Sequence, residues 1–183
     1  MIRYLITDGT AALDRARWLA NIAAWLQRGI DAVQIREREM SARQLAEVTR
    51  AVMGLENPAC AKILVNDRAD VALACGADGV HLRDGSIAPE WLAGRGLTIS
   101  VSCHKPSEAG LITGADFILL APVFMPLSKE DYRTPLGLDA LGEAAALTRT
   151  PILALGGVTE SNAVSCIEAG AAGVAGISLF RGF

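Results

Sequence analysis

At 183 residues the chain suggests one domain, residues 1–183, with room for a sizeable core, although eightfold βα barrels typically run to about 250 residues. Apolar residues make up 51% and aromatics 5%, the composition of buried parallel strands built from Val, Ile, Leu and Ala. A net charge of −3, without a basic tail or a run of like charges, argues against nucleic acid or a membrane surface as partner. Residues 1–8 are too short and too quickly polar for a signal peptide. The longest apolar stretch, 117–127, holds two prolines and falls short of a membrane span. Cys60, Cys75, Cys103 and Cys166 show no CxxC spacing and read as reduced thiols, so the cytoplasm is the expected compartment.

Strand-like and helix-like segments alternate from end to end. The first apolar run, 4–7, precedes an amphipathic helix predicted over 14–28, with Trp18, Ile22, Trp25 and Leu26 on one face. A strand at 32–35 leads to a helix over 41–53 that opens on the capping residue Ser41 and sets Leu45, Val48 and Val52 on one side. Strands follow at 63–65, 79–82, 98–102, 117–123, 152–155 and 173–177, separated by helical segments at 69–75, 89–93, 106–112, 138–147 and 161–169. Gly29-Ile30-Asp31, Gly76-Ala77-Asp78, Gly114-Ala115-Asp116 and Gly170-Ala171-Ala172 each join a helix to a strand. Glycine just past a helix end takes the left-handed turn back into the sheet, so these repeats argue for a repeated βα unit. Eight strands in this alternation predict an α/β fold: a (β/α)8 TIM barrel, short, with the last helix largely missing. A doubly wound open sheet is the alternative, but Asp8-Gly9-Thr10 lacks its glycine fingerprint. The thin last unit leaves the outer face of the first and last strands either poorly covered or covered by a second copy in a homodimer.

Barrel enzymes gather their chemistry at the carboxyl ends of strands, and residues two apart on a strand share a face. Gln34, Arg36 and Arg38 therefore share one face as the second strand ends, with Val33 and Ile35 on the helix-covered side. Two guanidiniums and an amide suit a phosphate or pyrophosphate; a strand end salt-bridged to Glu37 or Glu39 is the alternative. Asn66 and Asp67 end the third strand, where a carboxylate and an amide oxygen suit magnesium beside substrate phosphates, unless Asp67 caps the next helix. On the fifth strand Ser100, Ser102 and His104 alternate. Ser102 and His104 can donate to a phosphate or move a proton, a structural hydrogen bond at His104 being the alternative. Cys103 has the outward parity, and His81 reads as a satisfied core or mouth histidine. The polar loop 125–136, with Ser128 and Lys129, reads as a functional lid, against a merely solvated lysine. Leu155-Gly156-Gly157-Val158 and Gly176-Ile177-Ser178 fall where this fold usually holds phosphate on bare backbone amides; the plain alternative is a tight turn.

The chain also carries, in order, Tyr4-Leu5-Ile6-Thr7-Asp8, Gln34-Ile35-Arg36-Glu37-Arg38, Val65-Asn66-Asp67-Arg68-Ala69-Asp70, Gly76-Ala77-Asp78-Gly79-Val80-His81-Leu82, Val101-Ser102-Cys103-His104, Pro122-Val123-Phe124, Leu155-Gly156-Gly157-Val158 and Ile177-Ser178. Together these segments resemble the family of thiamine phosphate synthase and the TenI-type thiazole tautomerases over nearly the whole chain. The resemblance implies a transferase of thiamine biosynthesis. Such an enzyme joins aminopyrimidine (hydroxymethylpyrimidine) pyrophosphate to thiazole phosphate, releases pyrophosphate and uses Mg2+. It implies that Gln34, Arg36 and Arg38 hold the pyrophosphate, and that Asn66 and Asp67 serve the pyrimidine and magnesium side. Ser102, Ser128 and Lys129 would contact phosphate oxygens, and Gly157 and Ser178, with Gly156 and Ile177 beside them, would hold the thiazole phosphate. Arg36, Arg38, His104 and Lys129 are the expected catalytic residues.

Some positions depart from the synthase pattern. Arg38 stands where synthases usually carry Lys, and the usual Thr of the lid is replaced near Pro126. Ser86 stands where a second magnesium carboxylate is usual, which leaves Asp84 as the remaining candidate ligand. Gly85-Ser86 and Arg36-Glu37-Arg38 resemble the tautomerase branch instead, whose members shift a proton on thiazole phosphate without pyrophosphate or magnesium. That branch has a His where this chain has Pro122, and its other histidine is matched by His104. The implied alternatives are a thiazole tautomerase using His104, or a non-catalytic binder of thiazole phosphate or thiamine phosphate.

Overall fold

The structure is a computed structural model that describes residues 1–125 and 134–181. Eight parallel strands close on themselves in chain order: β1 (Ile2–Ile6), β2 (Ala32–Ile35), β3 (Lys62–Asn66), β4 (Gly79–Leu82), β5 (Thr98–Cys103), β6 (Phe117–Leu120), β7 (Ile152–Ala154) and β8 (Gly173–Gly176). The predicted closed barrel is what forms, and no open sheet edge is left. Strand parity explains the layering. Tyr4, Ile6, Ala32, Leu64, Leu119, Leu153 and Ala175 point inward and fill the barrel. Their neighbours Leu5, Val33, Ile35, Ile63 and Val65 point outward, against Trp18, Ile22 and Leu26 of α1 (Arg15–Gln27) and Leu45, Val48 and Val52 of α2 (Ala42–Met53). Each fully buried Leu or Ile contributes roughly 1.5–3 kcal/mol relative to exposure. Asp14 caps α1 by accepting from the Arg17 amide, and Ser41 with Gln44 forms a capping box on α2.

Three more α-helices lie among the described residues: α3 (Ala69–Cys75), α4 (Gly137–Leu147) and α5 (Ala163–Glu168). The segments predicted as helices at 89–93 and 106–112 are instead 3-10 turns, Pro89–Leu92 and Pro106–Leu111, each opened by a proline and too short to gain from an α-helical ladder. The helix predicted from 161 starts at Ala163, because Asn162 bonds the Thr159 amide and the Gly157 carbonyl. The sixth strand, predicted to reach 123, ends at Leu120: Pro122, after a cis peptide, has no N–H to offer a ladder, and the Val123 and Phe124 amides bond the Leu155 and Gly156 carbonyls. None of the described helices is long and apolar enough to cross a membrane.

The glycine repeat does its expected work, with Gly29, Gly76 and Gly114 at φ of 71°, 66° and 74°. The aspartate two residues later has a role of its own. The carboxylates of Asp31, Asp78 and Asp116 accept from the amides of Arg3 (2.7 Å), Ile63 (2.9 Å) and Ile99 (2.7 Å), tying β1, β3 and β5 each to the entrance of the next strand. The outer face beside β1 and β8 is closed in part by the chain itself. After the 3-10 turn Ser178–Phe180 begins, Phe180 meets Trp25 edge-on at 5.1 Å, and its carbonyl accepts from Trp25 Nε1 and Asn21 Nδ2.

Candidate active site at the carboxyl rim

Because all eight strands are parallel, the segments that follow them share one rim, which brings Arg36, Asp67, His104, Gly157 and Ser178 to the same mouth. Gln34 lies below that rim: it is 1% exposed, and its amide nitrogen donates to Asn66 Oδ1 at 2.9 Å. This bond ties Gln34 to Asn66 beneath the rim, and among the described residues the buried Gln34 Oε1 has no hydrogen-bond partner. Two residues on, Arg36 is half-buried. Glu37 turns away from it, accepting from Thr7 Oγ1 (2.7 Å), Trp18 Nε1 (3.1 Å) and the Ala11 amide (3.0 Å). The salt-bridged strand end does not form, and among the described residues the Arg36 guanidinium has no ion-pair partner. Burial first, and the charge of Arg38 second, push it below its ordinary pKa, with Glu37 opposing. Arg38 has left strand geometry for an exposed turn, so strand parity no longer aims it. It borders a cavity of about 390 Å3 together with Asn66, Asp67, Arg68 and Arg83.

Asp67 does not cap α3, whose N-cap is Arg68 without a side-chain bond. It sits in the left-handed region at φ 59°, a conformation Asp tolerates better than most residues, and its carboxylate accepts from Arg83 Nε at 2.5 Å and from Ser86 Oγ. Asp84 borders a neighbouring cavity of about 450 Å3 with Ser86, Ser102, His104 and Lys105. Asp67 and Asp84, the expected metal pair, border different cavities that meet at Arg83. Among the described residues no group of three or more His, Cys, Asp and Glu gathers around a cation position.

Ser102 on β5 and His104 just past its end border that second cavity, as does Cys103, which is buried against the outer packing cluster as its parity requires. His104 Nδ1 lies 2.7 Å from the Ala121 carbonyl. A carbonyl only accepts, so Nδ1 carries the proton and Nε2 is the basic atom of the ring. The structural bond and a role in proton transfer are thus compatible. His81 spans two serines, Nδ1 to Ser100 Oγ at 2.9 Å and Nε2 to Ser102 Oγ at 3.0 Å. Burial, then the charges of Arg36 and His104, lower its pKa from 6.5 to about 4. The folded value lies below the unfolded one, so the unfolded chain binds more protons between them. Stability from neutral His81 is complete above about pH 6.5 and is lost as pH falls toward 4. An NMR titration should accordingly show His81 uncharged down to about pH 5; a midpoint near the ordinary histidine value would contradict this environment.

The Gly156-Gly157 pair has φ of 92° and 63°, and a Cβ on Gly157 would stand 2.5 Å from the Met125 carbonyl oxygen. Close approach of the segment after β6 therefore demands glycine here whether or not an anion binds. Ser178 is exposed and opens its 3-10 turn, whose first amides have no partner inside the turn, and Ile177 precedes it on the same rim. Residues 3–180 match the family model described as thiamine monophosphate synthase. The chain belongs to the thiamine monophosphate synthase family. It is 44% identical over 181 residues to a putative thiamine-phosphate synthase of Geobacter sulfurreducens, covering 96% of this chain and 84% of that one. It is 37% identical to the thiamine-phosphate synthase of Roseiflexus sp. strain RS-1, covering 99% and 78%. Among solved structures, thiamine phosphate pyrophosphorylase from Pyrococcus furiosus superposes with a TM-score of 0.82 at 28% identity, covering 97% of this chain and 85% of that one.

Within this family member, two of the expected rim residues, Ser128 and Lys129, lie outside the described residues. Sequence reasoning missed the carboxylate of Glu37, which locks Thr7 and Trp18 beneath the rim, and Arg83, which borders both cavities. The charge of Arg83 one residue past a strand was the available signal for the second; nothing local marks the first.

Proposed function

We propose that this chain makes thiamine phosphate: it moves the aminopyrimidinylmethyl group from its pyrophosphate ester to the ring nitrogen of thiazole phosphate and releases pyrophosphate. The observation that carries this reading is Arg36, a half-buried guanidinium beside Arg38 with no carboxylate partner among the described residues. A desolvated, unpaired cation at a barrel mouth is unfavourable until an anion arrives. The family relatives named as thiamine-phosphate synthases supply the reaction class.

In this reading the carbon–oxygen bond to pyrophosphate breaks with its electron pair leaving on oxygen, and the thiazole nitrogen supplies the pair for the new carbon–nitrogen bond. Arg36 and Arg38 stabilise the departing charge with forked donors, and Ser102 donates to a phosphate oxygen. Asn66 meets the pyrimidine side, and the glycine amides with Ser178 hold the thiazole phosphate. The residues fit magnesium in one form: a cation held by Asp67 and the ligand's own phosphate oxygens, with Asp84 the nearby carboxylate, rather than by the protein alone. A cation held there would supply positive charge to the pyrophosphate oxygens.

Incubation with both phosphorylated substrates, with and without magnesium, tests the proposal. Thiamine phosphate and pyrophosphate should appear together and increase with magnesium. Isomerisation of thiazole phosphate alone would replace this reading with the tautomerase, and binding without any product would replace it with the binder.

A further inference from the structure

Four side chains run in one line from the barrel's core to its mouth. Tyr4 Oη lies 2.8 Å from Ser100 Oγ, Ser100 Oγ lies 2.9 Å from His81 Nδ1, and His81 Nε2 lies 3.0 Å from Ser102 Oγ. We propose that Tyr4, Ser100 and His81 form a one-way hydrogen-bond relay that holds the Ser102 hydroxyl as a donor to an anionic oxygen of the substrate. The inference rests on the reading of Ser102 as a phosphate contact and adds the residues that position it.

The direction follows from which donors have somewhere to go. Tyr4 is 0% exposed, and its hydroxyl has Ser100 as its partner among the described residues, so the phenol proton must be given to Ser100. Ser100 is also 0% exposed, and its own proton has one acceptor left, His81 Nδ1. Were Nδ1 protonated instead, Ser100 would receive two donors and its own proton would be buried without an acceptor. With Nδ1 accepting, the His81 ring carries its one proton on Nε2 and gives it to Ser102. The Ser102 oxygen is occupied as an acceptor from below, which leaves its proton for an acceptor other than His81; Ser102 is half-buried and lies on the lining of the cavity of about 450 Å3. Each bond polarises the next, which strengthens the last donor. His81, Ser100 and Tyr4 are positioning residues in this scheme.

The chain has two histidines, and they should be opposite tautomers. In 15N-histidine-labelled protein at neutral pH, long-range 15N–1H correlation should show His81 as the Nε2–H form and His104 as the Nδ1–H form, each serving as the other's reference. Tyr4→Phe should mix the tautomers of His81 and weaken binding of inorganic pyrophosphate about 3- to 10-fold; Ser102→Ala should weaken it at least as much. Finding His81 as Nδ1–H in the wild-type protein overturns the relay, whatever the binding results. Unchanged tautomer and affinity in Tyr4→Phe also overturn it. If instead the tautomer is as expected and Ser102→Ala binds pyrophosphate normally, the phosphate-site reading of Ser102 is what fails. The wild-type spectrum decides the direction even if a variant does not fold.

Discussion

Arg36→Ala should lower kcat/KM by about 10²- to 10³-fold while leaving the ligand-free protein as stable as before or slightly more so. The two halves of this expectation have one cause. Among the described residues no hydrogen bond depends on the Arg36 guanidinium; its backbone amide donates to Thr7 Oγ1, a contact alanine keeps. What the side chain brings to the free protein is an unfavourable charge, half-buried beside Arg38. Removing it relieves that repulsion and, on the proposed function, takes away a forked donor to the departing pyrophosphate. Pyrophosphate at about 100 times its dissociation constant should stabilise the wild type by about 2.7 kcal/mol, and the variant much less. Arg36→Lys should fall between, since a point charge lacks the forked donors. Steady-state turnover and thermal unfolding check both halves; wild-type turnover in Arg36→Ala would remove Arg36 from the site.

Gly173→Ala should be strongly damaging to the fold, costing roughly 3–5 kcal/mol and lowering Tm by about 10 °C. Gly173 pairs with Ile2 where β8 closes the barrel on β1. An added Cβ would stand 2.1 Å from the Ile2 carbonyl oxygen and 2.7 Å from Ile2 Cβ. The obstacle is backbone, so no rotamer change relieves it, and the seam that carries Ile2↔Gly173 through Leu5↔Gly176 must open or shift. Gly54→Ala is the control. Gly54 has αR backbone and its nearest Cβ neighbours would be at 3.6 Å, so alanine there should be neutral or stabilise by a fraction of a kcal/mol. Equal urea midpoints for the two variants would contradict the steric account of the barrel seam.

Local pattern carried most of the architecture. Alternation placed Val33 and Ile35 outside and Gln34 inside, the Ser41 cap placed α2, and the repeated Gly-x-Asp placed the returns into the sheet. These are effects of neighbours a few residues apart, which a chain displays in its order. Where alternation stopped, so did its reach: Arg38 lies past the end of β2, and Leu155 and Ile177 lie past the ends of β7 and β8.

The sequence by itself determined an eightfold strand rhythm and, through the parallel connections that rhythm requires, one rim bearing Arg36, Asn66, Ser102, His104, Gly157 and Ser178. Only the tertiary structure decided which polar group answers which. Glu37 went to Thr7, Ala11 and Trp18 rather than to an arginine, Asp67 to Arg83 and Ser86 rather than to its own helix, and Tyr4 to Ser100, 96 residues away. The physical reason is that a buried donor or acceptor must be satisfied by whatever closure of the barrel brings beside it, and no local periodicity encodes that meeting.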